Sequence, residues 1–71
     1  MIPKKKKELI RKWSDMLKSQ IDERARAETL TSTWRLIHHM ITEERKKGRI
    51  TKRQESNMIK RLIKPLKEVI Q

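Results

Sequence analysis

The sequence predicts an all-α protein, organised as one small three-helix domain over residues 1–71, and three observations lead to this fold class. Apolar residues recur at helical spacing in three stretches, the chain has a single glycine, and no stretch alternates apolar with polar residues as a half-buried strand does. We expect helices at about residues 4–28, 31–47 and 52–70, with a tight corner at Gly48. A chain of 71 residues buries only about 60% of the surface that it exposes when unfolded, so good helix packing or self-association is needed for stability.

The first helix is expected to begin at Pro3, because proline suits a first helical turn, where its missing N–H would have no partner. One face of this helix is apolar, with Leu9, Ile10, Trp13, Met16, Leu17 and Ile21. The opposite face is a basic stripe, made of Lys4, Lys7, Arg11 and Lys18. These four cations lie within about 60° of one another, because successive helical residues turn by about 100°. Residues 22–28 contain no helix breaker, so the helix should continue through them.

The second helix is expected after a break near residues 29–31. Hydroxyl side chains are concentrated between Thr29 and Thr33, and such side chains compete for backbone hydrogen bonds and favour helix caps. The apolar stripe of the second helix is wide enough to pack on two sides, with Leu30, Trp34, Ile37 and Ile41 along its centre and Leu36 and Met40 on one flank. We assign to the core, or to a self-association surface, Trp13, Trp34, Ile37 and Ile41.

Gly48 is expected to end the second helix, because glycine reaches positive φ at little cost. Thr51 and Gln54 then have the spacing of a capping box for the third helix. The apolar face of this helix consists of Met58, Ile59, Leu62, Ile63, Leu66, Val69 and Ile70. The opposite face is a second basic stripe, made of Arg53, Lys60, Lys64 and Lys67. Pro65 removes one backbone hydrogen bond and predicts a kink, after which the helix should resume.

An alternative fold remains open at this stage. Leu9, Trp13 and Met16 are followed 21 residues later by Leu30, Trp34 and Ile37, which is a spacing of three heptads. Residues 4–47 would then form one long helix of about 65 Å, followed by the short helix 52–70. The seam from Trp13 to Ile41 would stay uncovered in such a chain, so this alternative requires a dimer. The sequence therefore favours a homodimer, with dissociation expected for Trp34→Lys.

Net charge is the main indication of function. Lysine and arginine number 20 against nine aspartate and glutamate residues, which gives a formal net charge of +11. The excess is distributed along the chain, with +4 in residues 1–22, +2 in 23–48 and +5 in 49–71. A field of one sign over a whole small domain favours polyanions as partners. Nucleic acid is the first partner that we expect, and an anionic membrane surface or an acidic protein is the second.

Catalysis and metal binding are not expected. The chain has no cysteine, and the adjacent His38 and His39 would point about 100° apart on a helix, which prevents them from sharing a metal as an i, i+4 pair does. The acidic residues come with no nucleophile and no phosphate-binding glycine loop. We therefore predict no catalytic residue, no metal site and no cofactor.

The basic segment after Pro3 is not followed by the apolar run of a signal peptide, and no stretch approaches the roughly 20 apolar residues of a membrane span. We expect an intracellular protein, cytoplasmic or, in a eukaryote, nuclear. The leading hypothesis is a small basic nucleic-acid-binding protein that contacts phosphates through its two basic stripes, largely independently of sequence, as a regulatory or accessory factor. DNA and RNA remain equally open as targets. The alternative is an adaptor or inhibitor that docks on an acidic protein, for which an exposed apolar patch would be the distinguishing feature.

Overall fold

The structure, a computed structural model, describes residues 2–70, without the side chains of residue 65 and residues 68–70. It consists of three helices, α1 (Lys4–Asp22), α2 (Ala27–Lys46) and α3 (Lys52–Ile70), and the described residues contain no strand. The predicted all-α, three-helix fold is confirmed. The single long helix over residues 4–47 is wrong, because α1 ends at Asp22 and the chain reverses before α2 begins.

The core is formed mainly by α2, which packs against both other helices, whereas α1 and α3 contact each other least. The buried apolar side chains are Ile10, Leu17, Leu30, Ile37, Met40, Ile41 and Leu66. Four of these seven belong to α2, in agreement with its wide apolar stripe. Trp13 and Trp34 are half-buried against this cluster. Each fully buried Leu or Ile side chain contributes about 1.5–3 kcal/mol to stability, and among the described side chains α2 supplies more of these than α1 or α3.

The homodimer was inferred from a seam that no part of the same chain would cover. In the folded chain Ile37 and Ile41, two residues of that seam, are 0% and 1% exposed. A second chain is therefore not needed to cover these residues, and the homodimer itself stays a prediction. Three large apolar side chains of the predicted stripes are exposed instead of buried, namely Leu9, Met16 and Leu36.

The turn between α1 and α2 occupies residues 23–26, so the predicted break near residues 29–31 is wrong. Arg24 has a φ of 57°, which is the left-handed conformation that glycine usually supplies at this position. Its N–H donates to the Ile21 carbonyl at 3.1 Å, and the Ala25 N–H donates to the Gln20 carbonyl at 2.9 Å. These two bonds form a Schellman motif, and Ala25 packs against the core as the apolar contact that accompanies it.

The hydroxyl-rich segment lies inside α2, and its last member, Thr33, has a hydrogen-bond partner outside the helix. Thr33 is buried, and its Oγ1 donates to Oε1 of Gln20 on α1 at 2.7 Å. A hydroxyl that is satisfied across a helix interface has no need to compete for the backbone of its own helix. The same bond places the polar Gln20 in the α1–α2 interface without leaving its oxygen unpaired.

The corner between α2 and α3 has the predicted elements. Gly48 has a φ of 75°, and its N–H donates to the Arg45 carbonyl at 2.9 Å, while the Arg49 N–H donates to the Glu44 carbonyl at 3.0 Å. This is a second Schellman motif. The capping box follows, because the Gln54 N–H donates to Thr51 Oγ1 at 3.1 Å and the Thr51 N–H donates to Gln54 Oε1 at 2.8 Å.

The two outer ends of the bundle differ from these turns. α1 begins after Pro3 with no side-chain cap, and its first turn carries Lys4–Lys7 and no acidic residue. α3 continues to Ile70, as expected. The kink was predicted at Pro65, whose side chain lies outside the described part of the structure, as do the side chains of Val69 and Ile70. Within residues 2–70, no helix combines the length and the apolarity needed to cross a membrane.

Candidate functional site

The cations predicted as phosphate contacts are all exposed, but they do not form one surface. Lys4, Lys7 and Lys18 of α1 border an open groove between α1 and α3. Arg11 belongs to the same stripe and lies outside the groove lining. The four cations of the α3 stripe, Arg53, Lys60, Lys64 and Lys67, also lie outside it.

The groove lies where α1 and α3 separate beside the α2–α3 corner, and we call it the α1–α3 groove. Its main part has a volume of about 680 Å³, and a second part of about 250 Å³ continues along the same helix pair through Ser14 and Lys18. Ile10, Met58 and Arg61 line both parts. The α1 residues that line the two parts together run from Lys4 to Lys18, a length of about 21 Å at 1.5 Å per residue.

The lining of the groove has a deep apolar part and a more exposed cationic part. The apolar side chains are buried or half-buried, namely Ile2, Ile10, Ile50 and Met58. The cations of the main part are Lys4, Lys7, Arg49 and Arg61, and all except Arg49 are exposed. Gln54 and Asn57 complete the lining with two amide groups, and no carboxylate of the described residues lines either part.

Arg49 and Arg61 were missing from the sequence-based prediction. Arg61 lies about 60° from Lys64 around the axis of α3. It is the third residue of a series along the border of the apolar stripe, after Gln54 and Asn57. That i, i+3, i+7 pattern is the signal from which it could have been found. Arg49 lies in the turn between two helices, where no periodic pattern identifies it.

Arg49 has a second set of contacts that fixes its position. Its Nη1 donates to both carboxylate oxygens of Glu44, at 3.0 and 3.3 Å. The Glu44 side chain is 0% exposed, whereas that of Arg49 is 35% exposed. A second ion pair joins Arg45 Nε to Glu55 Oε2 at 2.8 Å and ties the end of α2 to the beginning of α3. These two pairs hold the corner at one end of the groove.

The remaining groove cations form no ion pair with a described side chain. Among the described side chains, no carboxylate lies within 4.0 Å of the charged groups of Lys4, Lys7, Lys18 or Arg61. The positive potential of the groove is therefore available to a ligand, and Arg49 contributes a charge that Glu44 offsets in part.

Other clusters are less suited to a ligand. Trp34 stacks at a tilt on His38, with ring centroids 4.9 Å apart, and His38 Nδ1 lies 3.5 Å from Thr42 Oγ1. Neither Trp13 nor Trp34 is an exposed stacking platform, because both are half-buried against the core. Among the described residues, no group of three His, Cys, Asp or Glu side chains has the arrangement of metal ligands.

The fold and the site define a small basic three-helix protein with an open, cation-bordered groove. Comparisons with models of protein families, with curated proteins and with solved structures found no match for the chain.

Proposed function

We propose that the protein binds nucleic acid by contacting phosphates with the basic stripes of α1 and α3, largely independently of base sequence. The observation that carries this proposal is the exposure of all eight stripe cations on a chain with a net charge of +11. A regulatory or accessory role is part of this proposal and rests on nucleic-acid binding alone.

The spacing of the stripes suits a phosphate backbone. Lys4 and Lys18 are 14 residues apart on α1, and Arg53 and Lys67 are 14 residues apart on α3, so each stripe is about 21 Å long. One strand of B-DNA presents about six phosphates over that axial length. Each stripe therefore extends over about as much axial length as these phosphates, and its four cations can contact several of them.

Sequence readout needs side chains that reach base edges with defined hydrogen bonds. The two stripes consist only of Lys and Arg, which contact phosphates as readily as guanine edges, and the nearby Gln54 uses its Oε1 in the α3 capping box. Affinity should therefore depend on phosphate contacts and fall steeply with salt. We expect dissociation constants of about 1–100 μM at physiological salt, the range of non-specific binding.

A fluorescence anisotropy titration tests this proposal, with labelled double-stranded and single-stranded DNA and RNA at several salt concentrations. In one variant, glutamine replaces the four cations of the α3 stripe, as Arg53→Gln, Lys60→Gln, Lys64→Gln and Lys67→Gln. This variant should bind more weakly, and its slope of log K against log salt should be less steep by about 3 to 4. The matched control removes the same charge from four exposed cations elsewhere, as Lys12→Gln, Arg35→Gln, Lys46→Gln and Lys47→Gln.

The control separates stripe-specific binding from a general effect of charge. If both quadruple variants lose the same affinity, net charge determines binding and the stripes have no special role. If none of the four nucleic acids binds at low salt, the proposed function is rejected.

A further inference from the structure

We propose that the α1–α3 groove is a docking site for an acidic amphipathic helix of a partner protein. Phosphate binding leaves this groove unexplained, because the two stripes need only exposed cations, whereas Ile2, Ile10 and Met58 give the groove an apolar lining. A ligand with one apolar face gains from removing that lining from water. Lys4 and Lys7 belong both to the groove and to the α1 stripe, but the proposal does not depend on nucleic-acid binding, since the apolar lining, Arg49 and Arg61 are not part of the stripes.

The geometry of the bundle favours a helix as the occupant. α2 packs on both of its neighbours, while α1 and α3 contact each other least, so the groove is the open side of the three-helix bundle. A fourth helix laid between α1 and α3 would extend the same packing. The groove lining on α1 runs from Lys4 to Lys18, a length of about 21 Å, which accommodates roughly four helical turns.

The charges indicate which amphipathic helix fits. Lys4 and Lys7 border the groove on the α1 side and Arg61 borders it on the α3 side, and the described lining contains no carboxylate. Carboxylates on both flanks of an apolar stripe would face these cations, in the helix-in-groove arrangement with apolar contacts at i, i+3, i+4 and i+7. Charge complementarity of this kind also speeds association and excludes basic helices.

A single strand of nucleic acid is the competing occupant. Proteins hold unpaired bases mainly by stacking them on aromatic side chains beside cations. The described lining has none, because Trp13 and Trp34 lie elsewhere against the core. The aliphatic lining fits leucine or isoleucine side chains better than it fits bases.

The test uses a fluorescein-labelled peptide of about 18 residues, a little longer than the groove, with leucines along one helical face, glutamates on both flanks and alanines elsewhere. A scrambled peptide of the same composition is the control for charge alone. We expect the amphipathic peptide to bind at least about tenfold more tightly than the scrambled one. Equal binding of the two peptides would reject the proposal.

Two variants locate the peptide on the protein. Arg61→Glu reverses an exposed groove cation, and Arg53→Glu makes the same change on the stripe outside the groove. We expect Arg61→Glu to weaken peptide binding at least about tenfold and Arg53→Glu to change it less than about threefold. Ile2→Ser tests the apolar contact, and because this residue precedes α1 it leaves the helices intact, which circular dichroism checks.

The same variants distinguish this proposal from nucleic-acid binding. Arg53→Glu should weaken oligonucleotide binding and leave the peptide bound, whereas Ile2→Ser should weaken only peptide binding. Equal losses of peptide affinity for Arg61→Glu and Arg53→Glu would mean non-specific attraction and overturn the docking site. If Arg61→Glu and Ile2→Ser instead abolish binding of an oligothymidine and spare the peptide, the occupant is single-stranded nucleic acid and the proposal is wrong.

Discussion

Arg49 is bonded to Glu44 three times, through two side-chain bonds of 3.0 and 3.3 Å and through its backbone N–H, which donates to the Glu44 carbonyl at 3.0 Å. In the Schellman motif that ends α2, these are the two positions that usually make an apolar contact. Here an ion pair takes the place of that contact, with one partner fully buried. The corner of the bundle therefore depends on electrostatic compensation where the matching turn after α1 uses the apolar Ala25.

Removing the cation of this pair should lower the free energy of unfolding. Arg49→Met leaves the Glu44 carboxylate buried without a counter-charge, and we expect a loss of about 3 kcal/mol, at the lower end for buried pairs because Arg49 is partly exposed. A domain of this size has a total stability of only about 4–10 kcal/mol. Urea unfolding followed by tryptophan fluorescence measures the change.

The double variant Glu44→Met/Arg49→Met supplies the control, because two apolar groups of similar size can replace a buried pair at little cost. We expect its stability to lie within about 1 kcal/mol of the original chain. A double variant that is less stable than Arg49→Met alone would contradict this account of the corner.

Gly48→Ala should destabilise the protein by about 1 kcal/mol, because alanine is strained at a φ of 75°. An added Cβ would meet no atom within 4 Å, so backbone conformation is the only source of the cost. Thermal unfolding should show a midpoint lower by about 4–8 °C. Gly48→Asn is the comparison, since asparagine tolerates the left-handed conformation, and a loss as large as that of alanine would point to a cause other than φ.

Arg24→Gly should stabilise the protein, which is the opposite of the effect expected for Gly48→Ala. Arg24 holds the same left-handed conformation without being glycine, so the substitution relieves strain of about 1 kcal/mol, part of which is offset by the greater freedom of glycine in the unfolded chain. We expect a net gain of about 0.5 kcal/mol in the free energy of unfolding. Arg24→Ala removes the same charge without relieving the strain, and an equal gain from alanine would show that charge is responsible.

The bond between Thr33 and Gln20 should contribute about 1 kcal/mol, as an ordinary neutral hydrogen bond between partly buried groups does. Thr33→Val keeps the shape of the side chain and removes the donor. A double-mutant cycle with Gln20→Leu measures the interaction between the two positions. A coupling energy near zero would mean that water replaces the bond and that the hydroxyl does not determine the register of α1 on α2.

Local sequence signals predicted the third helix and its corner well, because their determinants lie close together in the chain. Gly48, Thr51 and Gln54 act within seven residues, and each forms the backbone conformation or hydrogen bond that its chemistry favours. The break between the first two helices was misplaced because its determinants are not local. Arg24 adopts a conformation that its residue type disfavours, and Thr33 is satisfied by a side chain 13 residues away.

The candidate site was predicted only in part, for a related reason. Periodicity identifies the exposed face of an isolated helix, and it found Lys4, Lys7 and Lys18 in this way. Whether a cation joins a groove depends on how two helices face each other, which no single stretch encodes. Arg61 at the border of an apolar stripe and Arg49 in a turn became site residues only through the packing of α1, α2 and α3.

The uncapped first turn of α1 links local order to the surrounding anions. Lys4–Lys7 stand at the helix end where unpaired N–H groups already carry about half a positive charge, and each unfavourable interaction there costs roughly 0.3–1 kcal/mol at low ionic strength. Anions that approach Lys4 and Lys7 remove this repulsion, so they order the turn as they bind. The amides whose hydrogen bonds close this turn, beginning with the Lys7 N–H that donates to the Pro3 carbonyl at 2.9 Å, should exchange rapidly at low salt and slow down when a polyanion is added. The amides around Ile37 and Ile41 should exchange slowly throughout.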